Sequence, residues 1–278
     1  FIRSEKANVI TYNNKQQTMN KGDIMSSNNV FEAHNIGHLS ASSINTWVND
    51  PALWVAQYLC KMQSKAGPAA WRGIATEHAM HKRISNPDMT YKAIEEMLYG
   101  KFDEFHLDSS NFISEKVAKE RHGLINYYNS GMELYKTFGD AVSYQEKVVI
   151  DFDDLAVPFV GYIDFIYPNQ IRDTKTVARM PSGFTEGASR QLAIYAQKYP
   201  DYEVWVDYIT PKEARSYKLS KGAILLRKNE VLKIAFGIQK FLSISSDPLE
   251  LASIFYPNYD SWMWSSDMKN KATQIWSL

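Results

Sequence analysis

The chain has a single cysteine, Cys60, among its 278 residues. One thiol excludes an internal disulfide framework, a four-cysteine zinc site and a four-cysteine iron–sulfur cluster. A deaminase zinc centre would also need more cysteines. No apolar run of about 18 residues or more occurs, so no transmembrane span is expected. Phe1 to Asn20 lack the apolar core of a signal peptide, and a cytosolic compartment is the simplest expectation. Gly-rich phosphate loops are absent, which argues against a nucleotide cofactor and against an intrinsic ATPase or helicase. Net charge is absent too: 31 basic side chains face 31 acidic ones. That balance is not the global mark of a sequence-specific DNA binder, but it leaves room for an enzyme with a local basic channel.

What is present is a globular composition, 45% hydrophobic with seven tryptophans, enough for one large domain. Residues 1–37 are rich in Asn, Lys, Gln and Ser without apolar period, and read as a polar, loosely attached arm. From Leu39 the pattern is helical. Serines stand ready to cap a first helix, Asp50-Pro51 interrupts it, and it resumes through Ala52–Met62. Further helices are expected over 70–84, 91–104 and 113–138. The period then changes. Ser143–Asp151, Val157–Tyr167 and Ile171–Ala178 read as a three-strand meander. A helix over Gly187–Lys198, strands over Tyr202–Thr210 and Ala214–Leu219, a long helix over Gly222–Leu242 and a short one over Pro248–Ile254 follow. The tail, with Trp262, Trp264 and Trp276, is expected to pack onto the domain. The order predicts one α/β (α+β) domain over 38–278, in which a mixed sheet is flanked by helices. It divides into a helical front half (38–140), a core (141–242) and a tail (243–278).

The segment from Gly161 to Lys175 contains the chemistry. A loop at Tyr167-Pro168-Asn169-Gln170 pairs Ile166 with Ile171, and the same register sets Asp164 opposite Asp173. Cross-strand Cβ atoms lie roughly 4.5–5.5 Å apart, close enough for two carboxylates to share a cation. Lys175, two residues beyond Asp173, projects from the same face. Carboxylates flanked by Ile163, Phe165, Ile166 and Ile171 are costly to bury unpaired. Such oxygen ligands suit Mg²⁺ or Mn²⁺, whose chemistry is to polarise a phosphodiester and acidify bound water. Lys175 could position or deprotonate that water, or stabilise developing charge. An Asp–Lys ion pair in an ordinary hairpin is the bland alternative.

Two more pieces stand in order with these. Trp71-Arg72-Gly73-Ile74-Ala75-Thr76-Glu77 places Glu77 on a helix, and Gln191 and Tyr195 share a face of the helix after the hairpin. Together G-I-A-T-E (73–77), G-Y-I-D-F (161–165), D-T-K (173–175) and Q-L-A-I-Y (191–195) resemble the PD-(D/E)xK nuclease superfamily, in its RecB-like and lambda-exonuclease-like branches. The resemblance covers about residues 39–242. It implies a restriction-endonuclease-like sheet and metal-dependent phosphodiester cleavage. It also implies roles: Glu77, Asp164 and Asp173 as acidic metal ligands, the Thr174 carbonyl as a further ligand, and Lys175 as the catalytic lysine. Gln191 and Tyr195 would contact the DNA backbone or the scissile phosphate. Ile163 stands where the name-giving proline would be, and the cluster-binding cysteines of the CRISPR-associated relatives are missing.

The expectation is therefore a Mg²⁺- or Mn²⁺-dependent DNA exonuclease of recombination, repair or replication in a phage or bacterium. Its partners would be linear DNA ends and, in such systems, a single-strand annealing or recombination protein or further copies of itself. A structure-specific or nicking endonuclease, or a non-cleaving DNA-binding accessory, are the alternatives. Glu77-His78-x-x-His81 reverses the order of a zinc-protease motif. Arg72, Arg179, Arg190 and Lys198 could track phosphates, and Trp71 could stack on a base. From Arg172 to Lys228 eleven Lys/Arg face six Asp/Glu, which suggests positive charge gathered near the chemistry.

Overall fold

The structure, a computed structural model, describes residues 29–63, 65–107 and 114–276. A five-stranded mixed sheet separates two helical layers. In chain order the front half holds α1 (Val30–Ala33), α2 (Ala41–Asn49), α3 (Pro51–Trp54), α4 (Pro68–Ser85), α5 (Tyr91–Leu107) and α6 (Ser114–Tyr135). The sheet strands are β1 (Ser143–Ile150), β2 (Phe159–Tyr167), β3 (Gln170–Thr176), β4 (Glu203–Ile209) and β5 (Ala214–Lys218). Helix α7 (Glu186–Tyr195) links β3 to β4, and α8 (Lys221–Leu242), α9 (Pro248–Ala252) and α10 (Ser266–Trp276) close the chain. The strands lie side by side in sequence order, antiparallel except for the β3–β4 pair. That parallel step is possible because α7 carries the chain back over the sheet.

Local chemistry sets the helix starts. Ser40 and Ser43 form a reciprocal capping box on α2, which satisfies two otherwise orphaned N–H groups. Asp50 accepts from the Leu53 amide at 2.9 Å while Pro51 opens α3. The other Asp50 oxygen accepts from the Trp264 indole at 2.7 Å, so one residue both starts a helix and anchors the tail. After Trp54 the helix widens into a π-turn over Val55–Leu59. The tail contains α10, which the sequence reading left without structure; Met268 and Ala272 pack there against Ala52, Leu53 and Ala56.

Two cores result. Helices α4, α5 and α6 cover one face with Trp71, Ala75, Met80, Leu98, Phe102, Leu124 and Tyr135. Helices α7 and α8 cover the other with Leu192, Ile194, Val231, Ala235 and Ile238. The expected polar arm is shorter at its inner end than predicted. Phe31 is fully buried, Asn29 donates to the Ala156 carbonyl, and the His34 ring bonds the Leu242 carbonyl. Residues 29–37 therefore belong to the domain, because Phe31 and Ile36 supply apolar surface that a polar average conceals; 1–28 lie outside the described residues. No described helix is long and apolar enough to cross a membrane.

Candidate metal centre

Strands β2 and β3 begin as a regular hairpin. Tyr167 pairs with Gln170, Ile166 with Ile171 and Phe165 with Arg172. The ladder ends there, one position short of the predicted Asp164–Asp173 pair. Asp164 instead turns its carboxylate across the gap, and its Oδ2 accepts from the Thr174 backbone N–H at 2.7 Å. The strands part at the carboxylates, and the side chain replaces a ladder bond that the backbone has given up.

A matching irregularity lies on β1. Its ladder with β2 skips one position, Gln145 opposite Asp164. Tyr144 and Phe165, on one side of the skip, pack in the α4–α6 core. Ile163, the partner of Glu146, and Val148 pack in the opposite core. Side chains two apart on a regular strand share a face, so the pleat changes phase here. Gln145 has a left-handed backbone, φ 48°, which lets the strand make that change. The crease exposes Asp164 to both helical layers, and so to Glu77 from α4 as well as to the α7 side.

Glu77 is half-buried on α4, beside fully buried Thr76. Its Oε1 accepts from the Tyr144 hydroxyl at 3.2 Å and from Gln145 Nε2. The same nitrogen donates to Asp164 Oδ1 at 3.0 Å, so Gln145 joins two of the predicted acidic residues. Asp173 is fully buried and faces α7. Its Oδ1 accepts from Lys175 Nζ and from Gln191 Nε2, both at 3.0 Å. Gln191 also donates to Tyr195 Oη at 3.0 Å, and that oxygen takes a second bond from the Tyr162 N–H at 3.3 Å. Gly161 is required beneath this ring. A Cβ there would meet Tyr195 Oη at 2.7 Å and Cζ at 2.9 Å.

The electrostatics are unbalanced. Burial pushes Glu77 up to about 7, aided by the negative charge of Asp173 and opposed by the Gln145 bond. Burial, then Asp173 and Glu77, hold Asp164 well above the usual carboxylate range. Burial raises Asp173 as well, against the pull of Lys175. Lys175 is itself raised: burial works against its charge, but Asp173 and Asp164 outweigh it. Three carboxylates thus share one ammonium. The ammonium reaches the far Asp173 oxygen, Oδ2, at 2.8 Å, yet that buried atom accepts no aligned hydrogen bond.

These features fit a divalent cation. Glu77, Asp164 and Asp173 are hard oxygen donors in excess of local positive charge, with Lys175 as the cation paired to them. Among the described residues no three His, Cys, Asp or Glu side chains already close around one point. Mg²⁺ needs only one or two carboxylates and keeps several waters. His81 stacks flat on Tyr144, ring centroids 3.4 Å apart, and burial, then Lys82, hold it neutral down to about pH 4. It supports the tyrosine that holds Glu77.

Three expected DNA contacts are interior. Trp71 is 1% exposed, packed on Phe102 and Phe105, with its indole N–H on the Ala66 carbonyl. Arg72 is buried, paired with Glu120, bonded to the Thr176 carbonyl and stacked on Tyr127. Arg190 is buried between Glu186 and Glu230, with Asn45 as a third partner. Glu120 and Glu230 lie too far along the chain for a local reading to find, whereas Glu186 is one turn back on the same helix as Arg190. Much of the positive window is neutralised in the same way. Arg172 pairs with Asp207, Arg215 with Glu213, Lys218 with Glu203 and Arg227 with Glu230. Arg179 and Lys198 remain exposed.

Sequence reading missed Gln145, Tyr144 and Tyr162. Tyr162 is half exposed, two residues before Asp164 and opposite exposed Lys147. An aromatic at an open strand position two residues before Asp164 was the available signal.

No family model matches the chain, and no curated protein matches it. The crystal structure of SSO0001 is similar over 58% of this chain and 85% of that chain, at 14% identity and a TM-score of 0.30. A likeness that low carries no argument.

Proposed function

We propose that this chain is a Mg²⁺- or Mn²⁺-dependent deoxyribonuclease acting from linear DNA ends. The observation that carries the reading is the crease itself. Gln145 links Glu77 to Asp164 where β2 and β3 part, and Lys175 and Gln191 meet on the Asp173 carboxylate. The motifs that resemble the PD-(D/E)xK nucleases supply the residues of this cluster in chain order.

Glu77, Asp164, Asp173 and the Thr174 carbonyl would hold the cation. When bound, it polarises the scissile phosphate and lowers the pKa of the attacking water. Lys175 Nζ lies on Asp173 within the site, placed to position or deprotonate the attacking water, or to stabilise charge developing on the phosphate. Gln191 fixes Asp173 and Tyr195. Burial, then Asp173, push the Tyr195 phenol up to about 12, so it stays neutral. Its oxygen already accepts two bonds, and its own proton is available to a phosphate oxygen. Tyr162 and Lys147 on the open strand face, with Arg179 after β3, take the DNA-contacting role expected of Trp71, Arg72 and Arg190.

The test is cleavage of end-labelled linear and closed circular DNA in Mg²⁺, Mn²⁺ or EDTA. The reading expects mononucleotide or short products from linear DNA only, abolished by EDTA. Cutting of circles would replace the exonuclease with an endonuclease. Binding without metal-dependent cleavage would leave a DNA-binding accessory.

A further inference from the structure

We propose that Gln145 is a positioning residue that keeps the cation's place: its amide holds Glu77 and Asp164 together in the metal-free protein and yields when Mg²⁺ or Mn²⁺ binds. The inference rests on the metal-centre reading above. One nitrogen, Nε2, donates to both Glu77 Oε1 and Asp164 Oδ1. An amide NH₂ has two protons and no formal charge. It can satisfy two carboxylates at once without neutralising either, which makes it a tenant that a divalent cation displaces. The left-handed backbone at Gln145 and the skipped ladder position beside Asp164 aim the side chain into the cluster. A non-glycine residue held in that conformation at a candidate site is the kind of strain that function retains.

A plain cross-link between β1, β2 and α4 would have the same hydrogen bonds, but the two roles differ in linkage. A cross-link kept in both states stabilises both, and leaves metal affinity unchanged. Bonds made only in the metal-free state oppose binding, so whatever stability their loss removes from that state returns as affinity.

The experiment is a Mn²⁺ titration followed by electron paramagnetic resonance, on the wild type and Gln145→Leu, with thermal melts of both in EDTA. We expect the variant to melt lower without metal and to bind Mn²⁺ about tenfold more tightly, a pair of hydrogen bonds to acidic side chains being at stake. Unchanged or weaker binding would overturn the inference while leaving the metal centre standing. No Mn²⁺ binding by the wild type would overturn both. If Gln145→Leu does not fold, the side-chain ¹⁵NH₂ signals of Gln145 in the wild type decide. They should move toward free-amide positions as Mg²⁺ is added; signals that stay fixed through saturation would sink the proposal.

Discussion

Strand β3 presents two ionic clusters on opposite faces, one residue apart, and they are built to opposite rules. Toward α6, Arg172 forms a two-bond pair with Asp207, at 2.7 and 2.6 Å. Ser216 and Tyr135 donate to the same carboxylate, and Tyr135 also bonds Thr174 Oγ1. The guanidinium stacks between Phe138 and Trp205. One cation meets one anion, and both Asp207 oxygens are hydrogen-bonded. Toward α7, three acidic side chains share Lys175, whose ammonium lies 2.8 Å from Asp173 Oδ2. Asp207 and Asp173 are both buried, but Arg172 is closed off where Lys175 keeps 35% of its side chain exposed. Charge balance differs too, and the excess of acidic groups on the α7 face is what a bound cation would relieve.

The comparison breaks first at Lys175. Lys175→Ala should lower the cleavage rate by about 10²–10³-fold while leaving DNA binding nearly intact, as gel-shift and single-turnover assays on one preparation would report. A variant that cuts normally would remove the lysine from the mechanism. On the other face, Arg172→Ala should cost about 3–5 kcal/mol of stability, because it strands a buried Asp207. Denaturant melts would measure that loss. If Arg172→Ala reduces cleavage at temperatures where the variant is fully folded, the two faces are not separate.

Gly161→Ala tests the join between sheet and α7. The added methyl meets the Tyr195 ring, and overpacking of this kind costs about 1–3 kcal/mol. Cleavage should fall further than stability alone explains, since Tyr195 and Gln191 must shift together. An unaffected rate would free Tyr195 from any catalytic role.

The smallest effect is on pH and metal. Glu77 is raised from an ordinary carboxylate value to about 7, so the fold favours its protonated form. That contribution is fully present below the unfolded value and is lost as pH rises through about 7. The metal-free protein should therefore lose stability between about pH 4.5 and pH 7 and change little above that, and saturating Mg²⁺ should raise the melting temperature more at pH 8 than at pH 6. Glu77→Gln keeps the acceptor and removes the charge, so it should flatten both trends. An equal Mg²⁺ effect at the two pH values would take Glu77 out of the centre.

Much of this was legible in the sequence, and the failures share a cause. The change of hydrophobic period near residue 140 marked the boundary between helices and sheet, and Pro168-Asn169 fixed the hairpin register at Ile166–Ile171. Periodicity is local, and so are turns and caps. What escaped depends on partners far along the chain: Arg72 with Glu120, Arg172 with Asp207, Arg190 with Glu230. Read locally, Arg72 and Arg190 looked like surface charges available to phosphate, and Arg172 like part of a free basic window. The Asp164–Asp173 pairing was extrapolated from a regular ladder, which gives way at Asp164 because that side chain takes over the Thr174 N–H. Gln145 was invisible for a related reason. Its position in a strand pattern says nothing of a left-handed backbone, and its two acceptors come from a helix and a neighbouring strand.

The most direct test sets Asp173→Asn against the wild type in calorimetric Mg²⁺ and Mn²⁺ titrations, paired with digestion of an end-labelled linear duplex. The substitution keeps the acceptor for Gln191 and removes a buried negative charge. The account predicts a folded variant with lost metal binding and lost cleavage. A variant that binds metal and degrades DNA like the wild type would contradict it.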